Sequence, residues 1–140
     1  MPRKEYIPPE PKFWRYDIGD GWTILAGKTD EDNDLLSLRF ARPEEHWFHV
    51  RSMSGSHVIL RGPEGEEPTR EMLEMAASVA AWHSKARGGG RCAVTSTLAK
   101  HVSKPRGSKP GLVEITHETV LKVHPALPGN KLNARSKDSP

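Results

Sequence analysis

The chain has 140 residues, 21 Lys and Arg against 18 Asp and Glu for a formal net charge of +3, and a single cysteine. That length suits one domain with a modest core; the lone cysteine excludes an internal disulfide and any zinc site built on paired thiolates. No apolar run approaches the roughly 18 residues of a membrane span, and the charged, Pro-rich start lacks the apolar stretch of a secretory signal, so a cytoplasmic location is expected.

Residues 1–12 carry four prolines and read as a flexible arm. Residues 13–17 and 22–26 form an antiparallel pair across Asp20-Gly21, a hairpin signal. Residues 30–41 open with acids and close with Arg39, which suits a short helix ending before Pro43. Residues 46–51 and 57–61 read as strands around a small-residue turn at 52–56. Residues 69–86 are the clearest helix: Thr69 caps it, and Met72, Leu73, Met75, Ala76, Val79, Ala80 and His83 recur at helical spacing. Gly88-Gly89-Gly90 is expected to stop it. Residues 92–97 are a strand, 104–111 a basic turn rich in Pro and Gly, and 112–116 with 119–123 a final hairpin across His117-Glu118. The domain is therefore placed at 13–127, with a disordered basic tail at 128–140. Because most strands come in adjacent pairs, the fold class is α+β: a mainly antiparallel sheet packed with one long and one short helix.

The net charge hides an asymmetry. Residues 1–74 sum to −5, whereas residues 75–113 hold Lys85, Arg87, Arg91, Lys100, Lys104, Arg106 and Lys109 and no acid. Such a block favours a polyanion, or forms a solvated face paired with the acidic first half.

Other candidate chemistry is sparser. His46 and His49 sit three apart on a strand and face opposite ways, which argues against a metal site. Cys92 opens an apolar strand and reads as a buried, inert thiol. Gly55-Ser56-His57 can form a turn that contacts phosphate, or a purely structural turn. Trp47, Phe48 and Trp82 could stack on bases, but neighbours in a strand face opposite ways, so one of Trp47 and Phe48 is expected in the core. Trp14 and Trp22 are expected to pack the hairpin.

Three motifs then occur in register: Trp47-Phe48-His49-Val50 with Ser54-Gly55-Ser56-His57-Val58-Ile59-Leu60; Ala76-Ala77, Ala80-Ala81 and Ser84-Lys85-Ala86-Arg87; and His101-Val102-Ser103-Lys104-Pro105 with Lys109-Pro110-Gly111-Leu112-Val113. Over residues 22–125 the chain resembles the NFACT-R domain, the RNA-binding part of RqcH/NEMF-type factors that bind the large ribosomal subunit, engage tRNA and extend stalled nascent chains. Ser54 stands where that family has proline, and His46 where it often has an acid. The length leaves no room for the family's other domains, so a stand-alone NFACT-R protein is expected. The resemblance implies an RNA-binding module contacting tRNA or large-subunit rRNA in ribosome-associated quality control, with no cofactor, metal or membrane partner and the oligomeric state open. Its contact residues would be Trp47, His49, Gly55, Ser56, His57, Lys85, Arg87 and Lys104, joined by Arg106 and Lys109 of the basic turn. Two alternatives stand beside it: an RNA-processing or RNA-modifying enzyme with His49 and His57 as acid and base, and a protein-interaction module whose basic face meets an acidic partner.

Overall fold

The computed structural model describes residues 9–129; most of the arm at 1–12 and of the tail at 128–140 lies outside them. Residues β1 (Phe13–Gly19), β2 (Trp22–Gly27), β3 (His46–Val50), β4 (Val58–Arg61), β5 (Cys92–Leu98) and β8 (Thr119–Val123) form one sheet in the order β1-β2-β4-β3-β5-β8. Every neighbouring pair is antiparallel. The β1–β2 turn uses left-handed backbone at Gly19, Asp20 and Gly21, which glycine adopts without a Cβ clash. The α+β architecture is the expected one.

Both faces of the sheet are covered. On one, α2 (Arg70–Trp82) lays Ala76, Ala77, Val79, Ala80 and Ala81 against Ile24, Phe48, Val58, Leu60 and Val94; the small alanines let helix and sheet approach closely. Thr69 caps α2 by accepting the Met72 N–H. On the other face, Leu25, Trp47 and Ile59 pack with Leu36 and Val102. That layer is built by α1 (Asp30–Leu35), which runs directly into a wider π-type turn at Leu36–Phe40, and by a two-stranded ladder of β6 (Val102–Ser103) with β7 (Glu114–Ile115). The N-terminus of α1 is closed reciprocally: Thr29 accepts the Asp32 N–H, and the Asp32 carboxylate accepts the Thr29 hydroxyl and the Lys12 N–H.

Four expectations need correction. Trp47 and Phe48 do face opposite ways, yet both are buried, because a two-sided sheet leaves neither face wet. Residues 112–116 and 119–123 do not form a hairpin: β7 pairs with β6, and β8 crosses to the edge of β5. The helix at 30–41 is α-helical only to Leu35. The long helix stops at Trp82, ahead of the three glycines. There the His83 carbonyl accepts the Ser56 N–H and the Ser54 carbonyl accepts the Lys85 N–H, so the 54–56 turn captures the helix end. Gly55 is obligatory at this crossing: a Cβ on it would stand 2.6 Å from Ser84 Cβ.

Candidate nucleic-acid interface

Antiparallel pairing gathers distant segments at one end of the sheet. The start of β1, the end of β2, the start of β4 and the end of α2 all arrive there, bringing Trp14, Lys28, Ser54–Ser56 and His83–Arg87 together. They line an open cleft of about 440 Å³, which Asp30 and Asn33 also border. Lys28, Lys85 and Arg87 are exposed, and none of the three forms an ion pair with a described carboxylate. The Arg87 guanidinium lies 4.5 Å from the Trp82 ring centroid and its Nε donates to the Trp82 carbonyl, which orients it without neutralising it.

Beneath the cleft runs a closed relay. Trp47 Nε1 donates to Ser37 Oγ at 2.8 Å, Ser37 Oγ donates to His57 Nδ1 at 2.7 Å, and His57 Nε2 donates to the Gly111 carbonyl at 3.2 Å. The Trp47 indole can only donate and the Gly111 carbonyl can only accept, so Ser37 and His57 between them each take one bond and give one, which makes His57 the neutral Nε2–H tautomer. His57 is 1 % exposed. Its burial, with His49 beside it, pushes its pKa down to about 4, against weaker opposing effects of Gly111, Asp34 and Asn33.

The relay ends on the basic turn. Gly111 N–H donates to Asp34 at 3.0 Å, and Lys104 Nζ pairs with Asp34 at 3.1 Å while donating to the Lys109 and Leu112 carbonyls. Gly111 has φ +89°, and a Cβ there would meet the Asp30 carboxylate at 3.0 Å. The turn is thereby pinned to α1 beside the cleft, with Arg106 and Lys109 exposed on it.

The expected contact residues divide cleanly. Lys85, Arg87, Arg106 and Lys109 are exposed and Gly55 borders the cleft, whereas Trp47, Ser56 and His57 are buried. Ser56 Oγ donates to the Gly27 carbonyl at 2.6 Å, so its hydroxyl is used within the fold. Lys104 spends its charge on Asp34. His49 is half-buried, its ring 5.3 Å from that of His57, and burial lowers its pKa too. The two imidazoles therefore converge, but both His57 nitrogens are engaged internally, and the pair presents no open acid and base to a substrate. Cys92 is half-buried, with its thiol pushed up by burial. Among the described residues no three His, Cys, Asp or Glu side chains are placed to hold a metal, and no helix is long and apolar enough to cross a membrane. Sequence reasoning missed Trp14, Lys28, His83 and Asp34. Lys28 lies outside the acid-free block, and Trp14 and His83 are 69 residues apart, so no local pattern joins them.

Comparison with known proteins gives one consistent answer. The family described as the NFACT protein RNA binding domain matches residues 12–116. The Rqc2 homolog RqcH of Bacillus subtilis is 36 % identical over 123 residues, covering 88 % of this chain and 21 % of that protein. The ribosome quality control complex subunit NEMF homolog of Drosophila melanogaster is 32 % identical over 79 residues, 53 % of this chain and 8 % of that protein. The solved C-terminal part of the fibronectin/fibrinogen-binding protein from Streptococcus suis superposes with a TM-score of 0.75 at 33 % identity, covering 89 % of this chain and 49 % of that one. The chain thus spans about a fifth of the length of the RqcH proteins it matches.

Proposed function

The chain belongs to the NFACT protein RNA binding domain family, and from that premise we propose that it binds RNA through the basic end of its sheet, contacting tRNA or large-subunit rRNA in ribosome-associated quality control. The observation that carries this reading is the group of exposed cations with no ion pair among the described residues, Lys28, Lys85 and Arg87, around an open cleft beside the pinned basic turn. Counterion release on contact with phosphates supplies the affinity. Lys85, Arg87, Lys28, Arg106 and Lys109 make the phosphate contacts; Lys104, His57, Ser56 and Gly55 position the surfaces that carry them. On this reading the protein works in the cytoplasm, on or near ribosomes.

Crosslinking in cells, followed by sequencing of the bound RNA, tests the reading with Lys85→Ala/Arg87→Ala as control. Enrichment of tRNA or large-subunit rRNA that the control loses supports it. Equal recovery by wild type and control overturns it, and the basic end then serves another partner.

A further inference from the structure

Trp14 is an anomaly at the basic end. It is a large aromatic on the edge strand β1, 38 % exposed, among charged neighbours. One of its faces is backed: the His83 imidazole stacks on it with ring centroids 4.2 Å apart and planes within 10°. His83 is itself fixed, because Tyr16 on the same face of β1 meets its Nε2 at 2.7 Å. Burial and the nearby Arg87 hold His83 neutral, pushing its pKa to about 4, and burial pushes the Tyr16 phenol up to about 12. The Tyr16 hydroxyl therefore stays protonated and can donate to a neutral ring. The Lys28 ammonium also lies over the indole, 5.3 Å from the ring centroid, and leaves the ring 38 % exposed. Lys28 is exposed and forms no ion pair with a described carboxylate, so it is free to swing toward a phosphate.

Resting on the RNA reading above, we propose that Trp14 is a stacking platform for an unpaired RNA base, with Lys28, Lys85 and Arg87 neutralising the flanking phosphates. The ligand class is single-stranded or looped RNA, since a base held in a duplex has no free face to offer. A flat indole held rigid by His83 and Tyr16 loses little freedom on stacking, and every base has a π-face, so the subsite tolerates sequence. Asp30 is the carboxylate on the cleft wall; it disfavours a phosphate directly above α1 and directs the backbone toward Lys28 and Lys85.

The test is fluorescence-anisotropy titration of the full chain with labelled decamer oligoadenylate and with a blunt RNA duplex of matched length. It compares wild type, Trp14→Ala, Trp14→Phe and Lys85→Ala/Arg87→Ala, with near-ultraviolet circular dichroism to verify folding. Trp14→Ala is expected to weaken single-strand binding about tenfold, to leave duplex binding and the salt slope unchanged, and to be largely rescued by Trp14→Phe. Single-strand binding equal to wild type, or equal loss for both RNAs, overturns the platform while leaving the RNA reading intact if Lys85→Ala/Arg87→Ala still weakens both. No binding of either RNA by wild type overturns the RNA reading and the platform together.

Discussion

His57 is a single residue whose role depends on what covers it. Read alone, a turn followed by histidine suggests a ligand contact; burial turns it into a keystone, since Ser37, Trp47 and Gly111 all depend on its neutral form. The neighbouring positions follow the same logic, with Gly55 kept small by Ser84 and Ser56 tied to the Gly27 carbonyl. The sequence marked these residues as RNA contacts; their burial was not legible, because it depends on which segments cover them. A pH dependence follows. The folded pKa of about 4 lies below the ordinary value near 6.5, so the unfolded chain binds the proton first. The stabilisation from His57 is complete above pH 6.5 and is lost as pH falls toward 4, by roughly 3 kcal/mol for a group this buried. His57→Gln is expected to cost about 2 kcal/mol at pH 7 by breaking the relay. Urea unfolding from pH 7 to 4 should show the gap between wild type and His57→Gln closing as pH falls and changing sign near about pH 5. A gap that stays constant would mean that His57 titrates like an exposed imidazole.

Among the elements, local signals were sufficient where the interaction is local. The β1–β2 hairpin, the Thr69 cap and the alanine face of α2 are each written within a few residues. The final hairpin failed because two apolar runs around a two-residue link cannot report that each has a better partner elsewhere. Thr97 Oγ1 donates to the Thr116 carbonyl at 2.6 Å, which anchors the link on β5 and sends β8 along it. The basic turn is the other instructive element. It was legible as a loop with cations, but its pin, Asp34, lies 70 residues before Lys104. The geometry separates a lysine that shapes the turn by pairing with Asp34 from the exposed lysine to which a phosphate contact is assigned above. Lys104→Met is expected to cost about 1 kcal/mol of stability, the scale of a partly exposed ion pair, and to open residues 105–110 to limited proteolysis. RNA affinity should drop while the slope of log K against log salt holds. A slope reduced by about 0.7 for a single strand would instead make Lys104 a phosphate contact in its own right.

Among the described residues, opposite charges gather at opposite ends of the sheet and form a dipole along its strands. The basic cleft sits where β2 ends and β4 begins; at the opposite end, Glu44, Glu45, Glu64, Glu66 and Glu67 line a second hollow of about 700 Å³ with Pro63 and Pro68. Lys100 belongs to the acid-free block in sequence, yet the fold carries it to that acidic end, where it pairs with Glu44 at 2.9 Å. The block was therefore a sound guide to sign but not to place, since a strand moves its two termini to opposite ends of the sheet. Such a dipole orients a polyanion, and its reach can be tested. Five phosphate contacts, from Lys28, Lys85, Arg87, Arg106 and Lys109, predict a single-strand salt slope of about −3.5, and Lys85→Gln/Arg87→Gln should bring it to about −2.1. A six-residue strand such as β2 spans about 20 Å, about two and a half times the Debye length at physiological ionic strength. Glu64→Gln/Glu66→Gln/Glu67→Gln should therefore leave the dissociation constant within about twofold at 0.15 M salt. At 0.01 M, where the screening length is about 30 Å, the same variant should associate faster, because the repulsive end now reaches the approaching RNA. If neutralising the acids instead altered affinity at 0.15 M as strongly as removing Lys85 and Arg87, the RNA would have to pass close to both ends, and the one-ended footprint would be wrong.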